Sequence, residues 1–184
     1  MNTPAARTLI LGGARSGKST EAERRLAELA HDRVLYVATG GTREGDAEWA
    51  ERVSLHRSRR PASWETVETT DLAAVLRSAE RPVLIDCLTL WLTAAMDEAG
   101  AWAEESWQAG GQAALAARVD ELVLAWEQAA APVIAVSNEV GLGIVPESRA
   151  VRRFRDEQGR LNQRIAAASD TVVLMVAGIA VAVK

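Results

Sequence analysis

The sequence predicts an α/β protein with a doubly wound, mainly parallel sheet and an antiparallel terminal strand pair. Three observations carry that prediction. Short apolar runs alternate with segments of helical periodicity, the pattern of strands buried between helical layers. The first such run, Thr8-Leu9-Ile10-Leu11, meets its helix through Gly12-Gly13-Ala14-Arg15-Ser16-Gly17-Lys18-Ser19, which fits G-x-x-x-x-G-K-[ST] in the strand, loop, helix order that the motif requires. The chain then closes on two apolar runs, Thr171 to Val176 and Ile179 to Val183, placed around Gly178.

Composition narrows the class. At 184 residues the chain suits one domain, residues 1–184, large enough to bury a core without disulfides. A net charge of −4 argues against a dedicated nucleic-acid binder, so nucleotide is the expected partner and nucleic acid is not. Cys87 is the only cysteine, which excludes an intrachain disulfide and leaves a small buried hydrophobe as its reading. Met1 to Arg7 lacks an apolar leader, and Val172 to Val183, the longest apolar run, is too short and glycine-interrupted to span a bilayer. A cytoplasmic protein with no membrane contact is expected.

Taken in order, the glycine-rich stretch reads as a phosphate-binding loop. Its glycines let successive N–H groups turn onto phosphate oxygens, Lys18 supplies a mobile cation, and the Ser19 hydroxyl is a candidate Mg²⁺ ligand. Thr20 to Ala30 continues as a helix, with His31 a dipole partner near its end. Arg33 to Ala38 is the second strand, running into Thr39-Gly40-Gly41. Glu44 to about Ser54 has helical spacing, and Leu55-His56-Arg57-Ser58-Arg59-Arg60-Pro61 gathers one histidine with three arginines. Trp64 to Glu68 suits a short strand, and Asp71 caps a helix reaching about Ala79.

Pro82-Val83-Leu84-Ile85-Asp86 is an apolar strand ending in a carboxylate, where phosphate-loop proteins place the acid that holds Mg²⁺ or its water shell. A helix begins near Leu88, Glu98 to Gly111 reads as a surface connection, and Gln112 to Gln128 is amphipathic with Leu115, Val119, Leu122 and Trp126 facing a core. Pro132 to Ser137 is a further buried strand. Beyond it, Asn138 and Glu139 stand where parallel sheets bind ligands, with Gly141 and Gly143 giving tight geometry. A helix from about Glu147 to Ala168 carries Arg149, Arg152, Arg153, Arg155, Arg160 and Arg164 among acidic residues. That spacing suggests a solvated, salt-bridged face, with an anion or substrate role open for an arginine.

A phosphate loop alone does not choose among hydrolysis, phosphoryl transfer and nucleotidyl transfer. A neutral imidazole attacks phosphorus and neighbouring arginines stabilise the charge on its oxygens, which makes His56 a candidate nucleophile at the α-phosphate; a general base or an ordinary hydrogen-bonding histidine also fits.

The whole chain resembles the bifunctional adenosylcobinamide kinase/adenosylcobinamide-phosphate guanylyltransferase family of cobalamin biosynthesis. The resemblance runs through the phosphate loop, Tyr36-Val37-Ala38-Thr39, His56 with Arg60-Pro61 and Trp64, Asp86-Cys87-Leu88-Thr89, Asn138 to Glu147, Phe154-Arg155-Asp156 and Gly159 to Arg164. It implies a RecA-like phosphate-loop fold and a guanylylated histidine at His56. Nucleotide-binding positions are implied at Gly12, Gly13, Ala14, Arg15, Ser16, Gly17, Lys18, Ser19, Ala38, Thr39, Gly40, Arg57, Ser58, Arg59, Arg60, Glu68 and Asp86. Relatives can carry a glutamate in place of Asp86 and a second histidine in place of Leu55, so this segment holds one candidate nucleophile. The implied reactions are phosphorylation of adenosylcobinamide by ATP or GTP, then transfer of GMP from GTP to adenosylcobinamide phosphate. Homo-oligomers, trimers, are expected.

Overall fold

A computed structural model describes residues 6–29, 33–41, 45, 47, 51, 54 and 60–184. The chain runs β1 (Arg7–Gly12), α1 (Lys18–Glu28), β2 (Leu35–Ala38), β3 (Glu65–Glu68), α2 (Leu72–Ser78), β4 (Val83–Asp86), α3 (Leu88–Glu98), α4 (Gln112–Glu127), β5 (Val133–Asn138), α5 (Arg149–Ala168), β6 (Thr171–Val176) and β7 (Ile179–Ala182). The seven strands form one sheet in the order β3-β2-β4-β5-β1-β6-β7. Neighbours are parallel except β6 and β7, which pair antiparallel. The expected mainly parallel sheet with an antiparallel terminal pair is therefore present.

Alternation along each strand divides the core between the two faces. Leu9, Val37, Val83, Ile85, Val133 and Ala135 pack with Leu72, Trp91, Leu122, Trp126 and Leu161 of the helices on one side. Ile10, Tyr36, Leu84, Ile134 and Val136 face the other way, against Ala22 and Leu26 of α1 and against Trp64. Both faces are covered, which is why these strands read as unbroken apolar runs. Asp71 caps α2 as expected, its Oδ1 accepting from Ala74 N–H at 3.1 Å.

Two expectations change. The stretch read as a surface connection contains a helical turn, Glu104–Ser106, and a π-helical turn, Trp107–Gly111. Ala101 within it is fully buried. Arg153 holds it by bonding to Ala101 O and Glu104 and by lying over the Trp107 ring, 4.7 Å from its centroid. The expected salt-bridged face of α5 is present only in part: Arg152 donates to the carbonyls of Pro146 (2.7 Å) and Glu147 (2.6 Å), and Arg155 to those of Ile144 (2.9 Å) and Gly141 (2.7 Å). Arg149 and Arg164 reach carboxylates on other elements, Glu104 and Asp120, and Arg160 pairs within the helix with Glu157.

Candidate functional site

Register places the carboxyl ends of the parallel strands in one row. Glu68 on β3 pairs with Ala38 on β2, Ala38 with Asp86 on β4, Asn138 on β5 with Gly12 on β1, and Gly12 with Met175 on β6. Ligands of open α/β sheets bind outside this edge.

Between β5 and β6 in this row, the loop from Gly12 to Gly17 is shaped by glycine. A side chain on Gly12 would meet Ser16 Oγ at 2.6 Å and the Met175 carbonyl oxygen at 2.7 Å, and its φ of +154° favours glycine as well. Gly17 enters α1 in the left-handed region, with φ 95°. The loop is braced from three directions: Glu139 N–H donates to Gly12 O at 3.1 Å, Ser16 N–H to Gly13 O at 3.4 Å, and Gly178 N–H to Ser16 O at 3.1 Å. That last donor sits in the two-residue β6–β7 turn, where Ala177 and Gly178 have φ of 51° and 83°, as tight hairpins require.

Lys18 is buried, and its ammonium donates to Gly13 O at 2.6 Å. Burial lowers its pKa, while the fields of Cys87 and Asp86 work in the opposite direction. Asp86 thus lies within electrostatic reach of the loop lysine. One of its oxygens, Oδ2, accepts from the Tyr36 hydroxyl at 2.9 Å. Arg60 lies over the Tyr36 ring, 3.5 Å from its centroid, and donates to Thr66 Oγ1 at 3.1 Å. Thr39 is buried between these parts. Its hydroxyl donates to Cys87 O at 2.7 Å and accepts from Cys87 N–H at 2.9 Å, so it ties the end of β2 to the end of β4. Cys87 is buried, and burial first and Asp86 second raise its thiol pKa to about 11, which leaves it the inert small hydrophobe expected.

Gly13, Ala14 and Arg15 are exposed along the loop, Ser16, Gly17 and Ser19 half-buried, and Ala38 and Gly40 half-buried at the end of β2. Glu68 is exposed beyond them at the edge strand. His31, Leu55, His56, Arg57, Ser58 and Arg59 lie outside the described residues. Of the expected Glu44 to Ser54 helix, Ala47, Glu51 and Ser54 are helical and Gly45 stands in a turn, all four exposed. Among the described residues no three His, Cys, Asp or Glu side chains gather as a metal cage. The Asp86 carboxylate and the Ser19 hydroxyl are hard oxygen donors, of the kind that suits a cation taking its remaining ligands from phosphate and water.

Sequence reasoning did not assign a role to the polar cluster beneath the Asn138 turn. Ser137 Oγ donates to Asn162 Oδ1 at 2.7 Å, Gln158 Nε2 donates to Ser137 Oγ at 3.0 Å and to Asn162 Oδ1 at 2.9 Å, and Asn162 Nδ2 donates to Asn138 O at 3.0 Å. Asn138 N–H in turn donates to Thr89 Oγ1 at 2.8 Å. Leaving one such buried group unpaired costs about 1–3 kcal/mol, against roughly 0.2–1 kcal/mol for an exposed ion pair. This cluster ties α5 to the end of β5 under the site, with Gln158 Oε1 left buried and without a hydrogen-bond partner among the described residues. Two amide residues one turn apart on an arginine-rich helix were the available signal.

A family model described as cobinamide kinase / cobinamide phosphate guanyltransferase matches residues 8–183. The chain is similar to the bifunctional adenosylcobalamin biosynthesis protein CobP of Pseudomonas aeruginosa, 44% identical over 182 residues and covering 97% of each chain. It is similar also to the bifunctional adenosylcobalamin biosynthesis proteins CobU of Escherichia coli, 42% identical over 183 residues, and of Salmonella typhimurium, 40% identical over 187 residues; each comparison covers 96% of this chain and 98% of the relative. Among solved structures, a prototypical ATPase from the type III secretion system of pathogenic bacteria superposes with TM-score 0.60 at 16% identity, over 93% of this chain and 51% of that one. The flagellar accessory protein FlaH of Methanocaldococcus jannaschii does so with TM-score 0.50 at 13% identity, over 100% of this chain and 80% of that one. These two likenesses concern the fold alone.

Proposed function

The chain belongs to the cobinamide kinase / cobinamide phosphate guanyltransferase family, and from that premise we propose how one site serves both of its reactions. It is a bifunctional enzyme, a kinase and a guanylyltransferase. In the first reaction the aminopropanol hydroxyl of adenosylcobinamide attacks the γ-phosphorus of ATP or GTP. A P–O bond forms there, the bond to the β-phosphate oxygen breaks, the nucleoside diphosphate leaves and the hydroxyl proton passes to solvent. In the second, a neutral imidazole nitrogen of His56 attacks the α-phosphorus of GTP, forming a P–N bond and expelling pyrophosphate. A phosphate oxygen of adenosylcobinamide phosphate then displaces the histidine, giving adenosylcobinamide-GDP and the free imidazole.

The observation that carries this reading is a single phosphate loop holding a buried lysine within reach of the Asp86 field. The loop N–H groups and Lys18 bind the triphosphate, and Arg57, Ser58, Arg59 and Arg60, with Ala38, Thr39, Gly40 and Glu68, complete nucleotide binding. Ser19 and Asp86 are the residues that would hold Mg²⁺, which supplies charge neutralisation across the phosphates when bound. The reading includes a cytoplasmic homo-oligomer, a trimer. No helix among the described residues is long and apolar enough to cross a membrane, and Leu142, Ile144, Ile179 and Val181 leave apolar surface for a partner copy to cover.

Incubation with α-labelled GTP tests the covalent route. Wild-type protein is expected to keep label after denaturation. His56→Ala should lose it and should lower guanylyl transfer by at least about a thousandfold, while phosphorylation of adenosylcobinamide persists. Equal loss of both activities with an unchanged melting temperature rejects the nucleophile assignment.

A further inference from the structure

Tyr36 is the only tyrosine of the chain, and as a strand residue it needs no role beyond packing. Phenylalanine would serve that packing without bringing a hydroxyl into a buried position, where an unpartnered hydroxyl is costly. Here the hydroxyl donates to Asp86 Oδ2 at 2.9 Å, and the Arg60 guanidinium rests 3.5 Å from the ring centroid. Tyr36 is 4% exposed, so both contacts are made by a side chain the core holds in place. Arg60 belongs to the Leu55 to Pro61 segment that carries His56.

We propose that Tyr36 is a positioning residue shared by the two reactions, its hydroxyl fixing the rotation of the Asp86 carboxylate and its ring seating Arg60 at the end of the His56 segment. One hydrogen bond thus serves the metal–nucleotide side of the site and one stacked contact serves the guanylylation side. The inference rests on the assignment of Asp86 to the metal and separates into two arms.

A single tyrosine makes the first arm directly observable. With ¹³Cζ-tyrosine labelling the protein gives one tyrosine resonance, which Asp86→Asn is expected to shift. Mn²⁺ is the metal probe, titrated by electron paramagnetic resonance into the protein with α,β-methylene-GTP, whose α,β bridge the histidine cannot cleave. Tyr36→Phe should weaken Mn²⁺ binding by about tenfold, the effect usual for losing a group that orients a metal ligand. Its covalent labelling by α-labelled GTP should fall at low Mg²⁺ and recover as Mg²⁺ is raised. In the second arm, Arg60→Gln should slow covalent labelling at saturating GTP by about tenfold, whatever the Mg²⁺ concentration. Tyr36→Leu should combine both defects; if it does not melt cooperatively, Arg60→Gln carries this arm.

Unchanged Mn²⁺ affinity in Asp86→Asn overturns the metal assignment and the hydroxyl arm with it. Weakened binding in Asp86→Asn but not in Tyr36→Phe overturns the positioning role alone. Labelling of Arg60→Gln at the wild-type rate overturns the seating of Arg60.

Discussion

Two loops share the carboxyl edge of the sheet and are held in opposite ways. The phosphate loop, residues 12–17, is fixed by backbone: glycines admit its φ angles, and N–H groups from Glu139 and Gly178 brace its carbonyls. The loop of residues 139–148 is fixed by side chains, with Arg152 and Arg155 on its carbonyls and Glu139 Oε1 accepting from Gly141 N–H at 2.8 Å. The first must present its own N–H groups and so cannot afford bulky side chains nearby. The second presents side chains, Leu142 and Ile144 being 88% and 96% exposed, and so its backbone is available to be gripped. What a loop offers outward decides what holds it from within.

The largest test of this contrast is Gly12→Ala. Its methyl group would meet backbone at 2.7 Å, and displacing the loop by even part of an ångström should cost both reactions about a hundredfold, read as kcat/KM for each nucleotide. Arg155→Ala comes next. It should lower the opening free energy of the 139–148 loop by about 1–2 kcal/mol in hydrogen exchange while leaving amide protection at residues 12–17 unchanged. Equal loosening of both loops would show that they are one unit and end the contrast.

The smallest effect lies below the phosphate loop, at Glu21 on α1. Hydrogen bonds from Arg24 first, then Arg25, hold its pKa down at about 2. A depressed carboxylate contributes stability that is present above its unfolded value and lost as pH falls through its folded one. The melting-temperature gap between wild type and Glu21→Gln should therefore be constant at neutral pH and close between about pH 4.5 and 2. A gap that widens on acidification contradicts the assignment.

The sequence made the phosphate loop legible because its chemistry is local: glycines, a lysine and a hydroxyl at fixed offsets, between a strand and a helix. Asp86 was legible for a similar reason, as a carboxylate at the end of an apolar run. Strand order was not, since the insertion of β5 between β1 and β4 depends on pairings such as Arg7 with Val133, which no neighbouring residue encodes. The salt-bridged character of α5 was legible in part, as in Arg160 with Glu157, but the carbonyl partners of Arg152 and Arg155 were not, because a carbonyl leaves no mark in a sequence. Tyr36 was hidden by its packing: in a strand, a tyrosine that positions a carboxylate and one that fills a core look alike.

The β6–β7 turn has a consequence for the order in which the protein matures during synthesis. β1, made first, lies between β5 and β6, and its phosphate loop receives its Gly178 brace from residues more than a hundred and sixty positions later. A nascent chain halted before β6 would therefore carry the complete nucleotide motif with one flank of its strand unpaired and that brace missing. Such distant closure is slow, because a long loop must be ordered before the contact rewards it. Bound nucleotide would then act as a late fastener of the finished sheet and contribute little to guiding the emerging chain.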